Sequence, residues 1–154
     1  MRAFVFTDSA LTSRAGQFVW LELNVDDERN AAHRERLSLE ALPTFYVVNP
    51  ADESVVMRRV DGMTVAEMGS FLDEARTAAT GRAPSSPLEA ALARADRLNG
   101  EGKRAEAAAT YREALDRAPG GWPPYGRAVG ALLFLEQSLG EDKECIALAR
   151  EALP

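Results

Sequence analysis

The stretch LEALPTFYVV (Leu39–Val48) places a proline directly ahead of five strand-forming residues, Thr44 to Val48. Proline lacks the N–H that a sheet ladder requires, and is tolerated at the first residue of a strand, at an edge or at a bulge. The stretch therefore predicts a loop that ends at Pro43 and a strand that starts at Thr44. Working outward, SVVMRRV (Ser54–Val60) is a second β-branched run. PADE (Pro50–Glu53) between the two carries proline where a turn suits its fixed φ, so the runs predict a hairpin. Beyond DGM (Asp61–Met63), Thr64 stands three residues before Glu67, the spacing of a capping box. Val65, Met68, Phe71, Leu72 and Ala75 recur at helical period, which predicts a helix over 65–79.

Upstream, FVWLELNV (Phe18–Val25) has apolar residues at both parities, the mark of a strand buried on both faces, and predicts a central, parallel strand with Trp20 in the core. DDERNAAHRERLSL (Asp26–Leu39) opens with acidic residues suited to a helix N-terminus, so a short helix is expected there. The sheet would then be mixed, flanked by helices.

Strand, helix, Pro-Thr, strand, turn, strand, glycine and helix follow one another in this half. In that order it resembles the C-terminal part of a thioredoxin-like domain, with Leu42-Pro43-Thr44 and Gly62 at the matching places and the likeness covering about residues 1–79. The resemblance implies that the Leu42–Pro43 bond is cis. It also implies that Leu42, Pro43, Thr44 and Gly62 mark a surface that presents backbone to extended polypeptide. It departs from the family where the chemistry lies. A thioredoxin needs C-x-x-C at a helix N-terminus, where one thiol is acidified into an attacking thiolate, and this sequence has none. In the family's register the chain looks cut just past the active site, with a strand missing between the Phe18 and Thr44 strands. Alternatively RAFVF (Arg2–Phe6) is itself a strand and TDSALTSRAG (Thr7–Gly16) a short helix capped by Thr7 or Asp8. Either way residues 1–80 form a thioredoxin-like unit without a redox motif.

TGRAPSSPL (Thr80–Leu88) packs two prolines, two serines and a glycine into nine residues, so 81–88 reads as a linker. Residues 89–154 are helical in pattern. Ala95, Gly102, Ala107, Tyr111, Ala114 and Pro119 resemble one tetratricopeptide repeat, two antiparallel helices with small residues at their contact. WPPYGRAVGALLFLEQSLGEDKECIALAREALP (Trp122–Pro154) continues as a second helical pair. Leu132, Leu133, Leu135, Ile146 and Leu148 are expected to be incompletely covered there, which favours association, a homodimer being one outcome.

Composition sets the outer limits. The chain has 154 residues, 46% hydrophobic and 27% charged, a normal globular mixture. Its net charge is −6, with 8 Arg against 13 Asp/Glu in residues 1–80, so neither half carries the basic footprint of a nucleic-acid binder. No apolar run approaches the ~20 residues of a membrane helix, and no secretory signal opens the sequence, which predicts a soluble, cytoplasmic chain as written. The single cysteine, Cys145, excludes an internal disulfide and a cysteine-based metal cluster, and reads as a small buried hydrophobe.

The remaining chemistry-bearing residues favour structural roles. His33, the only histidine, lies on an Arg/Glu-rich segment and is expected at the surface, and Asp26, Asp27 and Glu28 are expected at a helix start. Trp122 and Tyr125 fall where one helical pair hands over to the next, a packing position that could also dock a partner. No catalytic set, metal site or cofactor motif is present. The sequence therefore predicts a redox-inactive α/β thioredoxin-like unit joined to a tetratricopeptide-like one, an interaction module for polypeptide or a partner protein. The alternative is a fragment of a thiol-disulfide oxidoreductase whose C-x-x-C lies upstream of Met1.

Overall fold

A computed structural model describes residues 5–37, 39, 41–80, 84 and 86–152. The chain is mixed α/β, with seven α-helices and one small antiparallel sheet among the described residues.

The sheet is the predicted hairpin. β1 (Thr44–Val48) pairs with β2 (Val55–Val60), Thr44 opposite Val60 and Val47 opposite Met57, with an irregularity after Val47 that sets Val48 opposite Val55. The connecting turn closes through Glu53 N–H to the Asn49 carbonyl at 2.7 Å, and Glu53 itself takes a positive φ of 58°.

Before the hairpin, a single 3-10 turn (Ser9–Leu11) capped by the Asp8 carboxylate leads into α1 (Thr12–Ala15). A second 3-10 turn (Glu28–Asn30), capped by Asp27, leads into α2 (Ala31–Arg36). After it, α3 (Val65–Ala79) starts with the complete capping box: Glu67 N–H bonds to Thr64 Oγ1, and Thr64 N–H to Glu67 Oε2 at 2.8 Å. The Thr64 N–H and the Thr64 hydroxyl, each at 2.8 Å, with Arg59 on the same carboxylate at 2.8 Å, hold the Glu67 carboxyl at about 2. The apolar stripe of α3 and the Phe45, Val47 and Met57 side of the hairpin close one core with Val5, Leu11 and Met63. Arg14 ties α1 to α3 by two bonds to Asp73, 3.0 and 2.7 Å, its guanidinium lying over Gly69.

The second half is α4 (Pro87–Gly100), which packs on β2, then α5 (Arg104–Asp116), α6 (Tyr125–Leu139) and α7 (Asp142–Ala152), each of these three packed on its predecessor. Ser86 caps α4 with Pro87 in its first turn, and Gly140 ends α6 in the left-handed region at φ 74°. Ala95, Ala107, Tyr111, Ala114 and Ala128 have no exposed surface, so small residues let the helix backbones approach while Leu92, Leu132 and Leu135 fill the remaining space.

Several expectations need correction. Phe18–Val25 is not a strand. Val19 to Asn24 carry no regular structure, the sheet holds no parallel partner, and Val19 is 90% and Leu21 81% exposed. An apolar run becomes a strand only if another strand takes its N–H and C=O groups, and among the described residues no strand pairs with this one. Trp20 is 45% exposed rather than core, its indole N–H donating to the Ala15 carbonyl at 2.9 Å. Of RAFVF, residues 2–4 lie outside the described residues, while Val5 and Phe6 sit in a turn. Half of the expected linker 81–88, residues 81–83 and 85, lies outside the described residues, and its end is helical, since α4 begins at Pro87. Leu132 and Leu135 are fully buried, not uncovered, because α5 closes over them; Ile146 remains 52% exposed. Cys145 is half-buried, its thiol directed to the Leu133 carbonyl at 3.8 Å.

Candidate functional site

The predicted polypeptide-binding residues come together at one end of the hairpin. Leu42–Pro43 is a cis peptide, and the Pro43 carbonyl accepts from Asp61 N–H at 2.9 Å, bringing the Pro43 loop against the segment that carries Gly62. Thr44 Oγ1 donates back to the Ala41 carbonyl at 2.5 Å and fixes the loop's exit. Asp61 sits at φ 88°, a region an L-residue enters reluctantly, and its carboxylate accepts from Gly62 N–H at 2.6 Å. Leu42, next to this junction, is 66% exposed.

Along β1 the Pro43–Asp61 bond sets the alternation. Pro43, Phe45 and Val47 face β2 with their peptide groups, so Thr44 and Val48 turn theirs to the opposite edge. No further described strand lies on that edge. An aromatic path leads from β1 to the apolar segment around Trp20: Phe45 to Phe6 at 6.1 Å, Phe6 to Trp20 at 5.8 Å and Trp20 to Phe18 at 6.0 Å between ring centroids.

The other face of the hairpin is held against the helices by charge that the sequence reading did not single out. Arg58, buried on β2, lies over Tyr46 and Phe134 at 5.9 and 5.5 Å and donates to Asn99 of α4 at 3.1 Å. Nearby, Arg127 of α6 forks onto Asp96 of α4 at 2.7 and 3.1 Å and reaches Glu74 of α3 at 2.9 Å. The Tyr111 hydroxyl donates to Asp96 at 2.5 Å. Burial pushes the Tyr111 hydroxyl well above its usual range, with the Asp96 charge adding to it. Burial also lifts Glu74 above the usual carboxylate range. For Arg127 burial works the other way, but the charges of Asp96 and Glu74 outweigh it and make the guanidinium more basic than free arginine. The signal was in the spacing: Leu92, Ala95, Asp96 and Asn99 follow i, i+3, i+4, i+7, so Asp96 and Asn99 lie on the apolar stripe of α4.

Trp122 and Tyr125 do not join the Pro43 loop. Trp122 packs half-buried on the helical core, and Tyr125 is exposed at the start of α6. His33 is exposed, and Asp27 is engaged by Arg29 at 2.6 Å and by its capping bond. Among the described residues no three His, Cys, Asp or Glu side chains are grouped as a metal would need, and no helix is long and apolar enough to cross a membrane. Set beside known proteins, the chain matches no family model, no curated protein and no solved structure.

Proposed function

We propose that this chain is a non-catalytic interaction module that holds an extended polypeptide segment along the edge of β1 away from β2, anchored at Leu42-Pro43-Thr44. The observation that carries this reading is uncovered apolar surface at both ends of β1, Leu42 at one and Val48 at the other, on a strand that pairs with β2 alone among the described strands. Strand addition to such an edge draws affinity from main-chain hydrogen bonds and selectivity from alternate side chains. The Phe45–Phe6–Trp20 path then carries an added segment's apolar side chains toward Val19 and Leu21. The thioredoxin-like and tetratricopeptide-like likenesses are part of the same reading, in which the helical half braces the hairpin through Arg58 and Asn99 and braces α3 through Arg127 and Glu74.

The test uses hydrogen exchange and a lysine-free peptide of alternating valine and threonine. Binding should slow exchange at the Thr44 and Val48 amides, and Val48→Lys, a charge on the edge, should abolish the effect. Slowed exchange that follows the chain's own concentration, with dimers by light scattering, would assign the edge to a second copy. Unchanged exchange at millimolar peptide, with no concentration dependence, would remove the reading.

A further inference from the structure

The segment Phe18–Leu23 turns two different faces to its surroundings. Phe18 packs against the core shared by the hairpin and α3, while Trp20 sets its ring against Phe6 and Phe18 and its indole N–H on the Ala15 carbonyl. Val19, Leu21 and Leu23, the alternate residues, are 90%, 81% and 40% exposed. Alternation of this kind belongs to extended backbone, where successive side chains point to opposite sides. One set of side chains therefore holds the segment in place, and the other is offered to water as an apolar stripe. Contiguous bulky apolar surface of this sort marks a contact site.

From this stripe we infer that the chain forms a weak twofold dimer, with Leu21 on the axis and Val19 of each copy against Leu23 of the other. A second copy is the occupant that fits. The stripe carries an aliphatic residue two positions to either side of Leu21, so an antiparallel copy finds in it the same surface that it offers. Charge selects the same direction. Glu22 is the only charged residue in 18–25, and the antiparallel register sets it across from Trp20 of the other copy, whereas a parallel one would set it beside its twin. Covering Val19, Leu21 and Leu23 with the exposed parts of Trp20 and Phe6 would take on the order of 1,000 Å² out of water over both copies, the size of a transient interface. Association at that size is weak, so the dilute chain stays a monomer with Leu21 in water. The dimer does not rest on strand addition at β1, although both reach Val19 and Leu21.

The experiment is sedimentation equilibrium and light scattering of the full chain from ~5 to ~500 µM, with ¹³C-methyl spectra of its valines and leucines over the same range. A monomer–dimer equilibrium with Kd on the order of 100 µM is expected, with concentration-dependent shifts at the Val19, Leu21 and Leu23 methyls. Salt should tighten it, because screening relieves the repulsion between two chains of net charge −6. In a mixture of labelled and unlabelled chain, intermolecular NOEs should join Val19 to Leu23. Leu21→Lys puts two like charges on the axis and should raise Kd about tenfold or more. If that variant does not fold, Val19→Lys, at a position almost wholly in water, should weaken the dimer several-fold. Val48→Lys, on β1, should leave the dimer as it is. The proposal is overturned by a monomer throughout the range, by a dimer that survives the lysine substitutions in the stripe, by a dimer lost with Val48→Lys, or by NOEs that pair Val19 with Val19. Methyl shifts that appear only with the valine and threonine peptide, at constant monomer mass, assign the stripe to that ligand and overturn it as well.

Discussion

The two halves of this chain obey different rules of assembly. In 87–152 every helix finds its cover in a sequence neighbour, and Tyr111, Leu132 and Leu135 are fully enclosed by α4, α5 and α6. In 5–80 a run at least as apolar, Val19 to Leu23, lies exposed, because its cover would have to come from a strand distant in sequence. A helix satisfies its own backbone and needs only one side covered, whereas a strand needs partners for its peptide groups before its side chains matter. Local pattern therefore settles the helical half and leaves the other half dependent on what pairs with it.

The strongest way to break the contrast is at the junction that joins the halves. Asp96→Ala leaves the Arg127 guanidinium and the Tyr111 hydroxyl buried without their shared acceptor, and should destabilise the fold by about 3–5 kcal/mol in urea unfolding, with both halves losing structure together. Separate transitions for hairpin and helices would mean that the halves fold independently. Next in size, Leu132→Ala in the helical core should cost about 3 kcal/mol through lost contacts and the space left behind.

On the α/β side, Glu67→Ala should cost about 1 kcal/mol at neutral pH by removing half of the capping box at α3. The Glu67 carboxyl is held at about 2, below its ordinary 4.5, so its contribution is full above pH 4.5 and is lost as the pH falls toward 2. The variant's deficit should therefore shrink over that window, and a deficit unchanged at pH 3 would contradict the assignment. The smallest effect sharpens the comparison most. Leu21→Ser, as apolar a loss as many core changes, should alter stability by less than about 0.5 kcal/mol, since water already covers the leucine.

How much of this was legible depended on whether the partners of a residue were local. The hairpin, the capping box and the helices of the second half follow from turn, cap and period, and all are found; the cis bond at Pro43, also found, was implied only by the thioredoxin-like resemblance. The failure of Phe18–Val25 to join a sheet does not follow, because pairing is a property of two segments and only one was in view. Buried charge was hidden for a related reason. Arg58, Asp96, Arg127 and Glu136 are of types that usually face water, and their burial depends on finding one another across elements. Even so, Glu136 falls four residues after Leu132 and seven after Val129, on the buried stripe of α6.

Gly100 carries one further consequence. A Cβ built at this last residue of α4 would stand 2.6 Å from Val55 Cγ1, well inside contact distance, so the helix end and the start of β2 meet with no room for a methyl between them. Volume at this contact belongs to the pair rather than to either residue. Inheritance should treat positions 100 and 55 as one unit: alanine at 100 is admissible in a lineage that has already shortened Val55, and damaging in one that has not. The order in which the two changes occur, and not only their sum, then decides which sequences can be reached.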